Sequence, residues 1–157
     1  MIKINEIFYS IQGEGSKAGL PCIFIRTSSC PLRCTYCDTK YAYYEGEMLS
    51  IDQILKVIAD FPCKLVELTG GEPMVQPETP QLLHELVSRG YETMIETCGS
   101  YRLNTLPTET IKIVDFKTPD SGEVSKNNYD VLEDMDSKDE LKFVICSEKD
   151  FDWMEHI

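Results

Sequence analysis

Residues 21–39 read PCIFIRTSSCPLRCTYCDT, an apolar run that leads directly into a group of cysteines. The start of this segment is rich in β-branched and aromatic side chains, which predicts a strand over residues 21–27. Cys30, Cys34 and Cys37 follow with C-x3-C-x2-C spacing. Because three thiolates in one short loop can ligate a single inorganic centre, the segment predicts a strand that ends in a metal-binding loop.

The number of available ligands bears on the type of centre. A structural zinc site takes four protein ligands, yet the chain has only two histidines, His84 in a predicted helix and His156 near its end. Three cysteines without a fourth partner favour an iron–sulfur cluster. A four-iron cluster held in this way has one iron open to bind and reduce another molecule. An electron-transfer or structural metal module, with four protein ligands, is the alternative of a different class.

Composition argues against several other classes of protein. The 157 residues suit one domain, and the sequence shows neither an apolar run of bilayer length nor a secretory leader, so no membrane partner is expected. The net charge of −12 disfavours direct binding of nucleic acid, whose backbone requires clustered basic side chains. An odd number of cysteines, seven, indicates a cytoplasmic protein rather than a disulfide framework.

The rest of the chain alternates between predicted helices and strands. Apolar periodicity and capping signals, including a capping box of Ser50 and Gln53, predict helices over residues 50–60, over residues 80–89 and from Ser147 onward. Short apolar runs predict strands over residues 65–69, 91–96, 111–116 and 140–146. This order predicts an α/β fold, a partial (incomplete) βα barrel of mainly parallel strands. Polar residues follow several strands, at the edge where such folds build their active sites.

Several short motifs resemble one family of enzymes. The CPLRCTYC loop followed by TGGEP at residues 69–73 resembles the radical S-adenosylmethionine (SAM) superfamily. NEIFYSIQGEG, CIFIR, CDT and IETCGS are similar in order and spacing to the 7-carboxy-7-deazaguanine synthase family of queuosine biosynthesis, from Ile4 to about Lys142. The resemblance implies a single radical SAM domain over residues 1–157. We also expect that the family's further C-terminal segment lies outside this sequence.

The resemblance implies a reaction, its cofactors and its partners. A carbon–nitrogen lyase of this family converts 6-carboxy-5,6,7,8-tetrahydropterin into 7-carboxy-7-deazaguanine with loss of ammonia, in the pathway of a tRNA modification. The implied cofactors are a [4Fe-4S] cluster, SAM and Mg²⁺. The implied partners are the small-molecule pterin, a flavodoxin or ferredoxin as electron donor, and a second copy of the chain in a homodimer. A glycyl-radical-enzyme activase or another radical SAM enzyme is the rival, although it needs neither IQGEG nor CDT.

Residue roles are implied by the same resemblance. The implied [4Fe-4S] ligands are Cys30, Cys34 and Cys37, and the implied Mg²⁺ ligand is Thr39. The implied substrate-binding residues are Ile11, Gln12, Gly13, Glu14, Arg26 and Thr69. The implied SAM-binding residues are Tyr36, Cys37, Asp38, Gly71, Glu72, Glu96, Asp115, Phe116 and Lys117. The chemistry of Arg26 agrees with its role, because a guanidinium at the end of a strand can bond a carboxylate through two nitrogens.

Overall fold

The computed structural model describes residues 1–157 and contains one sheet of seven strands with helices packed against it. The strands are β1 (Ile2–Ile11), β2 (Pro21–Thr27), β3 (Glu47–Leu49), β4 (Leu65–Gly70), β5 (Glu92–Thr97), β6 (Ile111–Phe116) and β7 (Glu140–Phe143). The α-helices are α1 (Ile51–Ile58), α2 (Thr79–Ser88) and α3 (Glu148–Met154). The strands lie in the order β3-β1-β2-β4-β5-β6-β7. The sheet is open, which confirms the predicted partial barrel of an α/β fold.

Five neighbouring strands form the parallel part of the sheet. β2, β4, β5, β6 and β7 pair in parallel, as predicted for most strands of the sheet. The bounds of β2 and β6 coincide with the predicted strands. β7 ends at Phe143 instead of Cys146. All carboxyl ends of these strands therefore lie at one edge of the sheet.

Two antiparallel strands extend the other side of the sheet and were not predicted. β1 pairs antiparallel with both β2 and β3. Most side chains of β1 are partly or fully exposed. Residues 2–11 therefore lack the continuous apolar run that marks strands buried on both faces.

The helix boundaries follow from local capping chemistry. Ser50 Oγ accepts a hydrogen bond from Gln53 N at 3.2 Å, and Gln53 Oε1 accepts one from Ser50 N at 2.8 Å, which confirms the predicted capping box. The apolar face of α1, including the fully buried Ile54, then packs on the sheet. α2 begins beside Pro80 and ends before Gly90, whose φ of +76° favours glycine. The three α-helices are too short or too polar to traverse a lipid bilayer.

The two faces of the sheet differ in chemistry. One face packs against the helices and contributes to a main core of 18 buried residues. The opposite face, called the inner face below, has a smaller apolar base formed by Cys22, Leu65, Met94, Ile111 and Ile113. Because side chains alternate between the two faces along a strand, Glu67 and Thr69 follow Leu65 on the inner face. Polar groups thus replace apolar ones towards the carboxyl ends of the strands.

Candidate functional site

One cavity of about 560 Å³ lies on the inner face and reaches the carboxyl ends of the parallel strands. Its volume is in the range of cavities that bind small ligands. The cavity brings together nearly all of the predicted site residues: Ile11, Gln12, Gly13, Glu14, Arg26, Cys30, Cys34, Tyr36, Cys37, Asp38, Thr39, Thr69, Gly71, Glu96, Asp115 and Lys117. Motifs that are far apart in the sequence therefore meet at one place.

Two of the predicted SAM-binding residues, Glu72 and Phe116, lie outside this cavity. Phe116 is fully buried in the core on the helix-covered face of the sheet. Glu72 is also fully buried, and its carboxylate accepts hydrogen bonds of 2.7–2.9 Å from Met74 N, Thr97 Oγ1 and Cys98 N. Both side chains hold the walls of the site in place and do not reach its interior.

The cysteine loop packs closely on the turn that follows β4. Ser29 O accepts a hydrogen bond from Glu72 N at 2.8 Å. Gly71 lies so near this loop that a Cβ added to it would come within 2.1 Å of Ser29 O, so only glycine allows the contact. Within the loop, Cys37 N donates to Cys34 O at 3.2 Å. The TGGEP motif and the cysteine motif are therefore two halves of one wall.

The three loop cysteines are free thiols that all line the cavity. Burial raises the pKa values of Cys30 and Cys34 above the ordinary value of a thiol. In this structure no three side chains of His, Cys, Asp or Glu converge closely enough to hold a metal ion. The donor set still fits an iron–sulfur cluster, because three thiols share one cavity wall and no histidine lines the cavity to complete a zinc site.

A buried ion pair lies beside the cysteine loop. Lys117 Nζ donates to Asp115 Oδ2 at 2.8 Å. Burial opposes the charge on Lys117, but the adjoining carboxylate outweighs it and holds the pKa of Lys117 above its usual range. The other carboxylate oxygen, Asp115 Oδ1, is buried without a hydrogen-bond partner. Because a buried acceptor requires a donor, this oxygen fits a ligand with a protonated amino group, such as SAM.

Arg26 presents a fixed guanidinium to the same cavity. Its Nε donates to Glu6 Oε1 at 2.8 Å, and the hydroxyl of Tyr41 donates to the same oxygen at 3.1 Å. The rings of Phe8 and Tyr41 each lie 5.9 Å from the guanidinium carbon. The two terminal nitrogens of Arg26 have no acceptor within the protein. This arrangement leaves the fork of Arg26 free to bind a carboxylate through two hydrogen bonds.

Glu67 is a cavity residue that was not predicted from the sequence. Its carboxylate accepts a hydrogen bond from Gln12 Nε2. Burial, reinforced by the neighbouring Glu96 carboxylate, raises the pKa of Glu67 to about 7. A signal was present in the sequence, because Glu67 precedes Thr69 by two residues on a predicted strand and therefore shares its face.

Lys142 is another charged cavity residue that was not predicted from the sequence. Its Nζ donates to Glu96 Oε1 at 2.6 Å and to the carboxylate of Glu14. Burial opposes the charge on Lys142, but these carboxylates hold its pKa above the usual range. Thr69 Oγ1 donates to the second oxygen of Glu96 at 3.1 Å. Lys142 thus connects β7 with β5 and with the loop that follows β1.

Oxygen atoms suited to a hard cation lie next to the third cysteine. Thr39 Oγ1 donates to Asp38 Oδ1 at 2.7 Å, and both residues line the cavity. Mg²⁺ prefers oxygen ligands, takes few of them from the protein and keeps several waters. The hydroxyl and the carboxylate therefore fit a site for Mg²⁺ that is completed by water or by a ligand.

The chain is similar in sequence and in fold to several known proteins. Residues 24–113 match the family model of the Radical SAM superfamily. The 7-carboxy-7-deazaguanine synthase of Koribacter versatilis is 41% identical over 154 residues, which are 97% of this chain and 68% of that protein. The 7-carboxy-7-deazaguanine synthase of Thermoplasma acidophilum is 37% identical over 152 residues, which are 96% of this chain and 73% of that protein. The crystal structure of QueE from Escherichia coli shares the fold, with a TM-score of 0.71 and 24% identity, over 99% of this chain and 88% of that chain.

Proposed function

Because this chain belongs to the 7-carboxy-7-deazaguanine synthase family of the radical SAM superfamily, we propose that it converts 6-carboxy-5,6,7,8-tetrahydropterin into 7-carboxy-7-deazaguanine with release of ammonia. One observation carries the proposal: a single cavity combines three thiols of one loop with the free guanidinium fork of Arg26. The thiols suit a [4Fe-4S] cluster, and the fork suits the carboxylate of the pterin.

The proposed cofactor end of the cavity is the wall formed by the cysteine loop and the TGGEP turn. Cys30, Cys34 and Cys37 hold the cluster, and SAM binds beside it. When bound there, the cluster and SAM would supply radical chemistry at a C–H bond of the substrate, with one electron from an external reductant. Asp115 Oδ1, which has no partner within the protein, accepts a hydrogen bond from the amino group of SAM. The other proposed SAM contacts are Tyr36, Asp38, Gly71, Glu96 and Lys117.

The proposed substrate end of the cavity is bordered by β1, β2 and β4. Arg26 binds the pterin carboxylate and thereby fixes the ring relative to the cluster. Thr69 orients the substrate through its hydroxyl, whose present partner Glu96 is held in turn by Lys142. Ile11, Gly13 and Glu14 border the exposed side and provide further substrate contacts.

Three further parts of the proposal concern Mg²⁺, the reductant and the assembly. Thr39 and the substrate carboxylate both bind Mg²⁺. The carboxylate of Asp38, which accepts a hydrogen bond from Thr39 Oγ1, supports a cation site at this position. A flavodoxin or ferredoxin delivers the electron, and two copies of the chain form a dimer. These last two features rest on the family relationship alone. Turnover with each purified reductant and sedimentation of the purified protein test them separately.

The main test is anaerobic reconstitution of the protein with iron and sulfide, followed by addition of SAM, Mg²⁺, dithionite and the pterin. We expect both 5′-deoxyadenosine and 7-carboxy-7-deazaguanine by liquid chromatography and mass spectrometry. Replacing any one of the three loop cysteines with alanine should abolish both products and lower the iron content. Cys146→Ala is the matched control, because Cys146 is exposed and lies outside the cavity.

The products distinguish the possible outcomes. Absence of 5′-deoxyadenosine from the wild-type protein would contradict radical SAM chemistry. Formation of 5′-deoxyadenosine without the deazaguanine would contradict the proposed substrate and support another radical SAM reaction.

A further inference from the structure

Gln12 is held by the protein at both ends of its side chain. Its Nε2 donates to the carboxylate of Glu67, and its Oε1 accepts from Glu14 N at 3.1 Å. Its backbone N–H donates to Leu20 O, and its carbonyl accepts from Gly19 N, each at 2.8 Å. Gln12 therefore supports the neighbouring groups of the cavity, and one N–H of Nε2 and one lone pair of Oε1 remain for a ligand.

Half of the carboxylate of Glu67 is unused. Oε2 accepts from Gln12, whereas Oε1 has no hydrogen-bond partner in the protein. The residue is only 4% exposed and lines the cavity. The cation of this region, Lys142, donates to Glu14 and Glu96 instead. Burying an unpaired carboxylate is costly, so the structure leaves Glu67 in need of donors from a ligand.

We propose that Glu67 selects the 2-amino-4-oxo ring of the pterin by accepting hydrogen bonds from its 2-amino group and the adjacent N3–H. The inference rests on the proposed function and names a positioning and specificity residue for it. Two adjacent N–H donors match the acceptor oxygens of a carboxylate, which have about four lone-pair sites in all. The same ring edge is present in the deazaguanine product, so Glu67 holds the part of the molecule that the reaction leaves unchanged.

The register of the sheet gives the pterin room between Arg26 and Glu67. Arg26 pairs with Thr69 on the next strand, and Glu67, two residues before Thr69, pairs with Phe24. With about 3.3 Å per residue and about 4.8 Å between strands, the two backbone positions lie about 8 Å apart. A two-ring heterocycle that is held by its 6-carboxylate at Arg26 spans this distance and presents its 2-amino end to Glu67.

The apolar surroundings agree with this orientation. Phe24 and Phe8 are stacked with their ring centroids 5.0 Å apart, and both rings line the cavity beside Glu67 and Arg26. Aromatic rings pack well against the face of a flat heterocycle. The cavity therefore offers a polar group for each end of the pterin and an apolar surface for its middle.

The test compares two stable ligands on the reconstituted holoenzyme with SAM bound. Pterin-6-carboxylate carries the 2-amino group, whereas lumazine-6-carboxylate has an oxygen in its place. We expect the wild-type protein to prefer the pterin at least tenfold, since a buried acceptor rejects an analogue that lacks its donor. In Glu67→Gln the preference should fall at least tenfold, because the amide can donate to the lumazine oxygen. The KM for the tetrahydropterin should rise at least tenfold.

Glu92→Gln is the matched control, because Glu92 lies on β5, the strand next to β4, but outside the cavity. It should keep the wild-type preference. Equal binding of the two ligands by the wild-type protein would overturn the inference without any variant. An unchanged preference in Glu67→Gln would also overturn it, whereas a purely structural role of Glu67 would weaken both ligands alike. Failure of the proposed function is recognised separately, because the wild-type protein would then form no deazaguanine.

Discussion

The carboxylate of Glu72 accepts a hydrogen bond from the backbone N–H of Cys98 at 2.7 Å, across 26 residues of chain. Its other oxygen accepts from Met74 N and Thr97 Oγ1. Glu72 thus ties the turn after β4 to the end of β5, while Gly71 in the same turn packs against the cysteine loop. The acidic residue of TGGEP therefore positions that loop relative to the sheet.

Replacing Glu72 with glutamine should destabilise the protein. Glutamine has one acceptor oxygen and one donor nitrogen, so at least one of the three present donors would face an N–H group. We expect the free energy of unfolding to fall by about 2 kcal/mol, the typical range for a hydrogen bond to a charged group. Urea unfolding of the metal-free protein measures the change. Glu85→Gln on the exposed side of α2 is the control, and equal losses in the two variants would contradict the role of Glu72.

Replacing Arg26 with lysine should weaken binding of the pterin. Lysine keeps the charge but cannot form two parallel hydrogen bonds to a carboxylate. Loss of one such bond, worth about 1.5–3 kcal/mol, should raise the KM for the pterin about tenfold or more. Steady-state kinetics measures this change. Arg89→Lys on the surface of α2, where Arg89 contacts Glu85 at 3.6 Å, should leave the KM unchanged, and an unchanged KM in both variants would argue against a carboxylate site at Arg26.

Glu67 should make stability depend on pH. Its pKa of about 7 in the folded protein lies above the ordinary glutamate value of 4.5, so the folded state binds the proton more tightly than the unfolded state. Between these values the folded state holds more protons, and stability therefore falls as pH rises from 4.5 to 7. Glu67→Gln removes this decline.

Urea unfolding of both proteins at pH 5 and pH 8 measures the effect. The difference in unfolding free energy, variant minus wild type, should be about 2 kcal/mol larger at pH 8. The neighbouring Glu14, Glu96 and Lys142 are present in both proteins, so their own titration largely cancels in this difference. A difference that does not change with pH would show that Glu67 ionises normally in the folded protein.

Replacing Thr39 with alanine should weaken the response of turnover to Mg²⁺. The variant loses one oxygen ligand of the proposed site and retains the three loop cysteines, so its iron content should equal that of the wild type. Product formation over a range of Mg²⁺ concentrations measures the response. Thr35→Ala is the control from the same loop, because the Thr35 hydroxyl donates to Asp120 O at 2.7 Å and lies outside the cavity. The same Mg²⁺ curve for Thr39→Ala and wild type would exclude Thr39 as a ligand.

Local chemistry made much of the fold predictable. The capping box of Ser50 and Gln53 and the apolar runs of β2 and β6 depend only on neighbouring residues. β1 was missed because it is stabilised by its two partner strands and keeps most of its side chains partly exposed. Pairing across the sheet, and not local hydrophobicity, defines that strand.

The sequence by itself determined that three thiols, a glycine-rich turn and several strand-terminal polar residues would gather at one edge of a parallel sheet, because all parallel strands end there. Only the tertiary structure decided which of the two carboxylates of this segment, Glu67 or Glu72, faces the cavity. Glu72 follows the glycines directly, but its carboxylate accepts hydrogen bonds from three donors of the protein. Glu67 lies within an apolar run, but it faces the cavity and one of its carboxylate oxygens has no partner. Side chains alternate between the two faces of the sheet along each strand. The helices pack against one face, and the site therefore forms on the other.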